Sequence, residues 1–388
     1  MSKKGKSSDI SVRVIEHNKY DDTYNNYVIY GIKGSKINNV IMNTIRRCII
    51  DMIPTYAFDK EDIVITKNSS IYNNDYMRLR LSQFPIINVD NSRETIEKSL
   101  ELEYEANISS FEQKIEDINI IKKKEEMKNL EKSQNFTMVV NVKNTSSSVI
   151  NVTTDTDGIK FYYRGKLTES PYKRKLLIIK LKPGEEFSCN ATSMLNIGMK
   201  YVNHMATSVC VFAEPEQASD EYKLNIESLK QIPEKELVIR ACLIINKKLQ
   251  NYLDIITDKI KKYESEKISD QYSIETKPVN ESNTESSSSS SSSSSSTDVN
   301  ENTDLEVHRI KGFITIENES HTFGNLISRM LQDHESILFA GYKIDHLLIK
   351  EATIGYKTDG TDILEIFNDS INEAISIYET LINKFEKL

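Results

Sequence analysis

The sequence contains few side-chain patterns that could carry catalysis. Asp155-Thr156-Asp157, followed by Gly158, comes closest to the carboxylate cluster that a two-metal site requires. Asp-Gly between two strand-like runs is, however, the usual sequence of a hairpin turn, and no glycine-rich phosphate loop of the Walker type occurs. The C-terminal histidines never lie three or four residues apart, which argues against a metal site on one helix: His308, His321, His334 and His346. We therefore predict no active site.

The cysteines form neither a metal-binding nor a disulfide pattern. Four are present, without any CxxC pair, at Cys48, Cys189, Cys210 and Cys242. This number is too small for a disulfide scaffold, and the spacing does not fit a zinc knuckle. We predict reduced thiols, no metal and no other cofactor.

Composition and charge restrict the classes of protein that remain. The 388 residues include 50 basic and 58 acidic residues, which gives a formal net charge of −8, and 38% are hydrophobic. An acidic chain lacks the basic footprint of duplex DNA binding, so we expect no direct sequence-specific DNA contact. The N-terminus has no apolar signal-peptide core, and no apolar stretch approaches the ~20 residues of a membrane span. We therefore expect a soluble intracellular protein that does not bind membranes.

Two polar segments interrupt the sequence. The run Ser286–Ser296 lies within a polar stretch, residues 266–304, that offers little apolar surface to bury, so we predict a disordered linker. Charged residues also dominate Asn91–Gln134, which contains no Gly or Pro. That second segment is consistent with either a solvated helical excursion or a charged loop, and we favour the helical excursion.

Hydrophobic periodicity predicts strands and one helix in the first 90 residues. Alternating residues in Ser11–Glu16 and Tyr27–Ile32 are typical of half-buried strands, and short alternating runs favour further strands at Ile63–Ile65 and Met77–Leu81. Between Ile32 and Ile63, apolar residues follow helical spacing and stop before Pro54: Ile37, Val40, Ile41, Ile45, Cys48, Ile49 and Met52.

The remaining sequence predicts a β-rich block, a long helix and a smaller second unit. The β-rich block consists of four runs, at Thr137–Val142, Val149–Thr153, Ile159–Tyr163 and Leu176–Leu181. A helix over Pro233–Tyr263 follows, about 46 Å long at ~1.5 Å per residue. After the linker come a strand at Gly312–Ile316, a helix from His321, strands near Leu338–Tyr342 and His346–Ile349, and a closing helix from Asp362.

The same order of elements thus occurs twice, and the two short helices share residues. Asn43-Thr-Ile-Arg-Arg47 aligns with Asn325-Leu-Ile-Ser-Arg329, with Asn, Ile and Arg at the same offsets. A helix with a wide apolar face must cover it with another element, so two such units can pack their helix faces together. We predict two related halves.

These motifs resemble the alpha-like subunits of multisubunit RNA polymerases. Glu319-Ser-His-Thr-Phe-Gly-Asn325 and Leu338-Phe-Ala-Gly-Tyr-Lys-Ile-Asp-His346 are similar to the small subunit, the eleventh of the nuclear enzyme. The N-terminal part resembles the third subunit through motifs in the family's order: Asn43-x-x-Arg46-Arg47 before Ile53-Pro54, Arg80-Leu-x-x-Phe-Pro-Ile86, Ile179-x-Leu-x-Pro-Gly-Glu185, Gly198-x-x-x-x-x-His204 and Asn225-Ile-Glu-Ser228. A single chain with both parts is similar to the fused subunits of large cytoplasmic DNA viruses.

The sequence departs from the family pattern at several positions. Ser320 replaces the acidic residue before the histidine, Phe323 replaces a leucine, and the prolines expected around His346 are missing. The third subunit often carries a cysteine cluster for zinc or an iron–sulfur centre, but Cys189 and Cys210 cannot supply four ligands.

The resemblance implies an α+β fold of two dimerisation units, each a small sheet with two helices, paired pseudo-symmetrically, with a β-rich insert domain in the first. It places the third-subunit-like unit at 1–90 and 195–265, the insert at 91–194, the linker at 266–304 and the eleventh-subunit-like unit at 305–388. The candidate interface residues are Asn43, Ile45, Arg46, Arg47, Ile49, His321, Thr322, Phe323, Gly324, Asn325, Ile327, Phe339, Gly341 and Tyr342.

Several of these residues have a structural as well as a functional interpretation. Arg46 and Arg47 form either a solvated helix face or, as we favour because most of their neighbours are apolar, a site for a partner's carboxylates. Gly324 either permits a close backbone approach at a helix crossing or lies in a frayed first turn. His321 opens a helix, where capping and packing suit it better than acid–base catalysis.

The resemblance also implies a function. The chain would be a non-catalytic assembly platform of a DNA-directed RNA polymerase, on which two large catalytic subunits and a small tenth- or twelfth-subunit-like chain dock. The competing hypothesis is a free-standing regulatory or chromatin-associated binding module with the same fold. For a viral chain, the resemblance implies a location in the host cytoplasm and in virions.

Overall fold

The computed structural model describes most of the chain: residues 9–18, 27–87, 89, 91–107, 136–216, 220–266, 310–345 and 350–388. The serine tract Ser286–Ser296, residues 108–134 of the charged segment and the strand predicted at His346–Ile349 lie outside these residues. Among the helices described, none combines the length and apolar character needed to cross a membrane.

Six α-helices lie within the described residues: α1 (Asn39–Asp51), α2 (Asn74–Ser82), α3 (Ser99–Asn107), α4 (Glu234–Glu266), α5 (His321–Gln332) and α6 (Ile363–Glu386). Two short 3₁₀ helices accompany them, at Arg93–Lys98 and Val202–His204. The long helix, the short helix of each half and the closing helix agree with the prediction from periodicity.

The strands of the same residues are β1 (Ser11–Asn18), β2 (Tyr27–Lys33), β3 (Thr55–Asn68), β4 (Phe136–Lys143), β5 (Ile150–Thr153), β6 (Ile159–Tyr163), β7 (Lys166–Thr168), β8 (Leu177–Leu181), β9 (Glu186–Asn196), β10 (Thr207–Ala213), β11 (Glu221–Ser228), β12 (Ile310–Glu317), β13 (Ile337–Lys343) and β14 (Glu351–Thr358). They form four antiparallel sheets with the orders β1-β2-β11-β10, β3-β9-β4-β6-β7, β5-β8 and β12-β14-β13. The fold is therefore α+β, as predicted.

The chain divides into two compact units. Each unit contains residues from both portions of the sequence, the portion before residue 266 and the portion after residue 304. The first unit comprises Met1–Lys248 and Ile375–Leu388, and the second comprises Leu249–Ala374. The first unit thus includes the end of α6, and the second includes the end of α4.

Helix α1 begins at a side-chain cap and buries one apolar face. The Asn38 side chain accepts hydrogen bonds from the backbone N–H groups of Val40 and Ile41, both at 3.0 Å. The helix ends where Met52 donates its backbone N–H to the Cys48 carbonyl oxygen, two residues before a proline. Its buried apolar residues are Ile41, Met42, Ile45, Cys48 and Ile49.

The β-rich part of the first unit has a hydrophobic core of its own. The five-stranded sheet, the β5-β8 pair and α2 all contribute to it, with buried side chains that include Phe58, Met77, Phe161, Leu181 and Phe187. Arg80 attaches α2 to β8, because its Nε and Nη2 donate to the carbonyl oxygens of Ile178 and Leu177 at 2.8 and 2.9 Å. Both β3 and α2 belong to this core although they precede residue 91.

The prediction of a strand at Met77–Leu81 was wrong, because these residues lie in α2. The Asn73 side chain caps this helix by accepting the backbone N–H of Tyr76 at 2.8 Å. Met77 and Leu81 are fully buried, whereas Leu79 between them is 46% exposed. Residues four positions apart share a helix face, so a five-residue alternation fits a helix as well as a strand.

The beginning of the charged segment is not the solvated helical excursion that we predicted. It is helical, in a 3₁₀ helix and in α3, but several of its side chains are buried within the first unit. Its buried residues are Asn91, Thr95, Ile96, Ser99 and Glu103.

The sheet of the second unit has β14 as its central strand, which the sequence analysis did not identify. Phe313 of β12 and Gly341 of β13 both lie opposite Gly355 of β14. Helix α5 contacts β13 and β14 and buries its apolar face, at Phe323, Leu326, Ile327, Met330 and Leu331.

Candidate subunit interface

Helices α1 and α5 place matching residues at matching positions. With Asn43–Arg47 aligned on Asn325–Arg329, the arginine that ends each segment forms an ion pair with an aspartate four residues later, Asp51 or Asp333. Both nitrogen–oxygen distances are 3.0 Å, and both arginine side chains are 45% exposed. The repeat seen in the sequence therefore extends to these ion pairs.

Arg46 breaks this repeat. The equivalent position in α5 is Ser328, which is buried, whereas Arg46 is partly exposed. Its Nε and Nη2 donate to the Asn43 Oδ1 at 3.1 and 2.9 Å, which fixes the guanidinium along the helix surface. Burial raises the pKa of the Cys210 thiol on β10 to about 12, and the Arg46 charge partly opposes this rise. A cation of α1 thus lies next to β10, without a counterpart in α5.

The end of α6 completes the core of the first unit. Tyr378, Leu381 and Phe385 are fully buried there, as are Ile45 and Ile49 of α1: all have 0% exposure. The Phe385 ring meets the ring of Tyr30 on β2 edge-on, with centroids 5.1 Å apart. Burial also raises the pKa of both tyrosine hydroxyls, on Tyr30 and Tyr378, above the ordinary value.

A polar network holds the start of α4 to the segment before α3. Arg240, only 4% exposed, donates from Nη1 to the Asn91 Oδ1 at 3.0 Å and from Nε to the Glu236 carboxylate at 3.1 Å. Arg93 donates to both oxygens of the same carboxylate, at 2.8 and 2.9 Å, and to Glu386 of α6 at 3.1 Å. Burial would raise the pKa of Glu236, but the hydrogen bonds from the two arginines outweigh it and lower that pKa.

A buried ion pair attaches α3 to α4. The Lys248 Nζ donates to both carboxylate oxygens of Glu103, at 2.7 and 2.8 Å, and the side chains are 3% and 9% exposed. Lys247 forms a second, more exposed pair with Glu97. These contacts explain why the charged segment does not begin in solvent.

In the second unit, the end of α4 packs against α5 and β12. The Tyr252 ring lies edge-on to the ring of Phe323, with centroids 5.6 Å apart, and its hydroxyl donates to the buried carboxylate of Glu319. Lys259 donates to the carbonyl oxygen of Thr315 at 2.8 Å. The second unit therefore contains the later part of a helix whose first residues, up to Lys248, belong to the first unit.

Gly324 lies where α5 meets the sheet. A Cβ at this position would lie 2.8 Å from the Tyr342 Cδ2 and 3.3 Å from the Ala352 Cβ. The sequence left two interpretations of Gly324 open, a close approach of the helix backbone to a neighbouring element or a frayed first turn. The structure favours the close approach. That approach is to strands β13 and β14 instead of to another helix.

The other predicted interface residues of the second unit differ in exposure. Ile327 is 2% exposed, whereas Phe339 is 62% exposed. The His321 Nδ1 lies 3.3 Å from the Tyr342 hydroxyl, and both side chains are at least partly exposed. Thr322, Asn325 and Gly341 are partly exposed as well. The predicted residues thus include both buried packing residues and surface residues.

His204, for which the sequence indicated no role beyond the Gly198-x-x-x-x-x-His204 motif, joins two distant segments. Its ring is fully buried, with Nδ1 2.8 Å from the Thr55 carbonyl oxygen and Nε2 2.9 Å from the Asp59 carboxylate. At Gly198, a Cβ would lie 2.4 Å from the Ile50 carbonyl oxygen, so only glycine fits. The sequence holds no signal for the His204–Asp59 pair, because 145 residues separate its members.

The described residues contain no cluster of three or more His, Cys, Asp or Glu side chains that could hold a metal ion. Cys189 and Cys210 are both buried, and burial raises the pKa of each thiol to about 12. Both thiols are therefore protonated at neutral pH and are poor metal ligands in this state.

Comparison with known proteins identifies the family. The profile described as "RNA polymerase Rpb3/Rpb11 dimerisation domain" matches residues 35–249, and a second profile with the same description matches residues 312–384. The first match alone spans more than half of the chain. The chain therefore belongs to the RNA polymerase Rpb3/Rpb11 dimerisation-domain family and contains two such domains.

Individual relatives agree with this result. An Acanthamoeba polyphaga mimivirus protein named as DNA-directed RNA polymerase subunit R470 is 25% identical over 365 residues, which cover 92% of this chain and 89% of the relative. Subunit Rpo11 of Archaeoglobus fulgidus is 35% identical over 71 residues, 18% of this chain and 83% of the relative. The African swine fever virus RPB3-11 homolog is 33% identical over 79 residues, 20% of this chain and 22% of the relative.

These matches confirm the resemblance to fused alpha-like subunits of viral RNA polymerases. The chain is an Rpb3/Rpb11-like subunit of a DNA-directed RNA polymerase, and its partners are other subunits of that complex.

Proposed function

We propose that the chain is the non-catalytic assembly platform of this polymerase, on which two large catalytic subunits dock. In this proposal the third-subunit-like and eleventh-subunit-like portions pair within one polypeptide, through the apolar faces of α1, α4, α5 and α6. A small tenth- or twelfth-subunit-like chain is a further proposed partner. Because two of its relatives are viral proteins, we also propose that it acts in the host cytoplasm and is packaged into virions.

One observation carries the proposed pairing: each compact unit draws on both portions of the sequence. Phe385, near the end of the chain, is fully buried in the first unit, and Tyr252, which precedes the linker, is 3% exposed in the second. Buried aromatic side chains contribute large apolar areas to stability. Burial of these aromatic side chains therefore stabilises the association of the two portions.

Arg46 is the residue that we propose for docking of a large subunit. Arginine binds carboxylates through two parallel hydrogen bonds, and Asn43 holds this guanidinium in place while leaving other N–H groups available. Arg47, paired with Asp51, extends the cationic surface. Because α5 carries Ser328 at the position of Arg46, the docking surface distinguishes the two pseudo-symmetric helices.

The test is to purify the tagged chain from its native cell and identify the proteins that accompany it. We expect two very large polymerase chains in equal amounts. Replacement of both Arg46 and Arg47 by alanine removes charge-assisted contacts of ~2–5 kcal/mol, so recovery of a large chain falls about tenfold or more. The melting temperature of the variant verifies that it is folded.

Arg329→Ala is the matched control, since Arg329 has the same exposure and the same type of ion pair as Arg47. We expect it to retain both large chains. Equal losses from Arg329→Ala would contradict docking through α1. Recovery of transcription regulators or DNA, without large polymerase chains, would support the free-standing binding module instead.

A further inference from the structure

One segment of this acidic chain is strongly basic. Ile159–Lys182 contains eight lysines and arginines and a single acidic residue, Glu169, a formal charge of +7, whereas the complete chain carries −8. All eight cationic side chains are exposed: Lys160, Arg164, Lys166, Lys173, Arg174, Lys175, Lys180 and Lys182. Charge of one sign collected on one segment produces a local potential that the net charge of the chain conceals.

Part of this charge lies on a tight hairpin at the edge of the five-stranded sheet. Strands β6 and β7 are joined by Arg164 and Gly165, both with positive φ, 50° and 74°, as a two-residue type I′ turn requires. Lys166 pairs with Tyr163 directly beside this turn. The turn therefore presents two cations at the tip of a short antiparallel ribbon.

Aromatic side chains alternate with the cations of this hairpin. The Arg164 guanidinium lies over the Tyr163 ring, 5.3 Å from its centroid. Phe161 is buried, so its neighbours Lys160 and Tyr162 share the outward face of β6. Lys160 thus lies on β6, and Arg164 follows in the turn directly after this strand.

A second group of cations follows on the loop Lys173–Lys175. This loop is anchored by Tyr172, whose buried ring lies 5.8 Å from the Phe161 ring of β6. Lys175 also forms an ion pair with Asp155 at 2.5 Å. The loop is thus attached beside the same strand, and it adds to the charge of the hairpin.

We infer that the β6–β7 hairpin and the Lys173–Lys175 loop bind the phosphate backbone of a nucleic acid without sequence specificity. Exposed cations can bind phosphates, and the tyrosine rings between them can stack on bases. An acidic protein surface would use only the cations, so the tyrosines favour a nucleic acid as the ligand. This role goes beyond assembly and does not depend on it, because the isolated chain carries the whole surface.

The experiment measures fluorescence anisotropy of labelled 24-nucleotide single-stranded DNA, RNA and duplex DNA with the full chain, from 50 to 300 mM KCl. The test variant is Lys160→Gln with Arg164→Asn and Lys166→Gln, since asparagine tolerates the positive φ of the turn. We expect binding to weaken about tenfold or more. On duplex DNA, three lost phosphate contacts lower the slope of log K against log salt by about 2.7, and by about 2.1 on single strands. The three labelled probes show which nucleic acid is preferred.

The matched control removes three exposed lysines elsewhere, Lys60, Lys384 and Lys387, by substitution with glutamine. It changes the net charge equally, and we expect an unaltered slope. A slope reduced equally by the control, no binding at 50 mM KCl, or equal affinity for polyglutamate would each overturn the inference. If the hairpin variant melts early, Lys173→Gln with Arg174→Gln repeats the test from the loop, with a slope reduction of about 1.8 expected on duplex DNA.

Discussion

Arg46 and Ser328 occupy equivalent positions of two related helices but differ in charge and burial. Around them, Ile45 and Ile327 are both buried, and Arg47 and Arg329 have the same kind of ion pair. A fully symmetric pair of helices would offer two equivalent surfaces to two different large subunits. A cation on one of them provides a basis for distinguishing the partners.

The Glu236 carboxylate makes the first unit sensitive to acid. Its pKa is lower in the folded protein than its ordinary value of 4.5, so its ionised form stabilises the fold above that pH. This contribution disappears as the pH falls from about 4.5 towards the folded-state pKa. We expect Glu236→Gln to cost ~1–3 kcal/mol at pH 7, because the buried Arg240 loses a charged partner. Urea unfolding between pH 3 and 7 measures both effects.

Glu386→Gln is the control for this prediction, since the Glu386 side chain is 45% exposed and pairs with Arg93, which is itself 46% exposed. Its effect should stay below ~1 kcal/mol at pH 7. If wild type and Glu236→Gln lose stability in parallel below pH 4.5, the carboxylate does not carry the acid sensitivity.

At the residue scale, the burial of a side chain was easier to predict from the sequence than the residues that it contacts. The burial of Ile45, Phe323 and Ile327 followed from helical spacing. The contact of Gly324 with Tyr342 and the network around Glu236 did not, because both depend on tertiary packing between distant segments. The contact of Arg46 with Asn43 is of the predictable kind, because side chains three residues apart on a helix are neighbours.

The close approach of α5 to its sheet gives a prediction at the scale of elements. In Gly324→Ala the new Cβ would lie 2.8 Å from the Tyr342 ring, so we expect a loss of ~1–2 kcal/mol despite the better helix propensity of alanine. With Tyr342→Ala also present, the same substitution should instead stabilise by up to ~1 kcal/mol. Denaturant unfolding of the four proteins of this cycle measures the change of sign, and two effects of equal sign would refute it.

Elements were predictable where their periodicity was long. Helices α1, α4, α5 and α6 each show an apolar stripe of several turns, and their existence followed from it. The five residues Met77–Leu81 are compatible with both the helical and the strand period. The hydrogen bond at Asn73 caps a helix that includes them. Strand β14 was missed because Gly355 and Lys357 dilute its alternation, although Ala352, Ile354 and Tyr356 are buried.

The whole molecule depends on the last turns of α6, which supply core residues of the first unit. Phe385→Ala removes a fully buried ring that contacts Tyr30, and we expect a loss of ~3–5 kcal/mol. Hydrogen exchange should show lost protection of backbone amides in β2 and α1. Phe339→Ala, at a 62% exposed position, serves as the control and should change stability by less than ~0.5 kcal/mol. Unchanged protection in Phe385→Ala would contradict the assignment of α6 to this core.

The architecture of two related units was predictable from the repeated order of elements, since each wide apolar helix face needs a cover. The division of α4 and α6 between the two compact units was not, because helical periodicity does not specify which neighbour covers which turn. The basic segment Ile159–Lys182 was also overlooked, because the net charge of −8 for the whole chain conceals the local excess of basic residues.

The presence of Ile375–Leu388 in the first unit affects the order of events on the ribosome. Residues up to Lys248 are translated first, whereas Phe385, which packs against Tyr30, is translated only after the intervening residues 249–374. At ~5–20 amino acids per second, synthesis of the intervening stretch takes about 6–25 s. During that interval Tyr30 lacks its contact with Phe385, so we expect a chaperone that shields apolar side chains to protect the nascent chain until α6 has been synthesised.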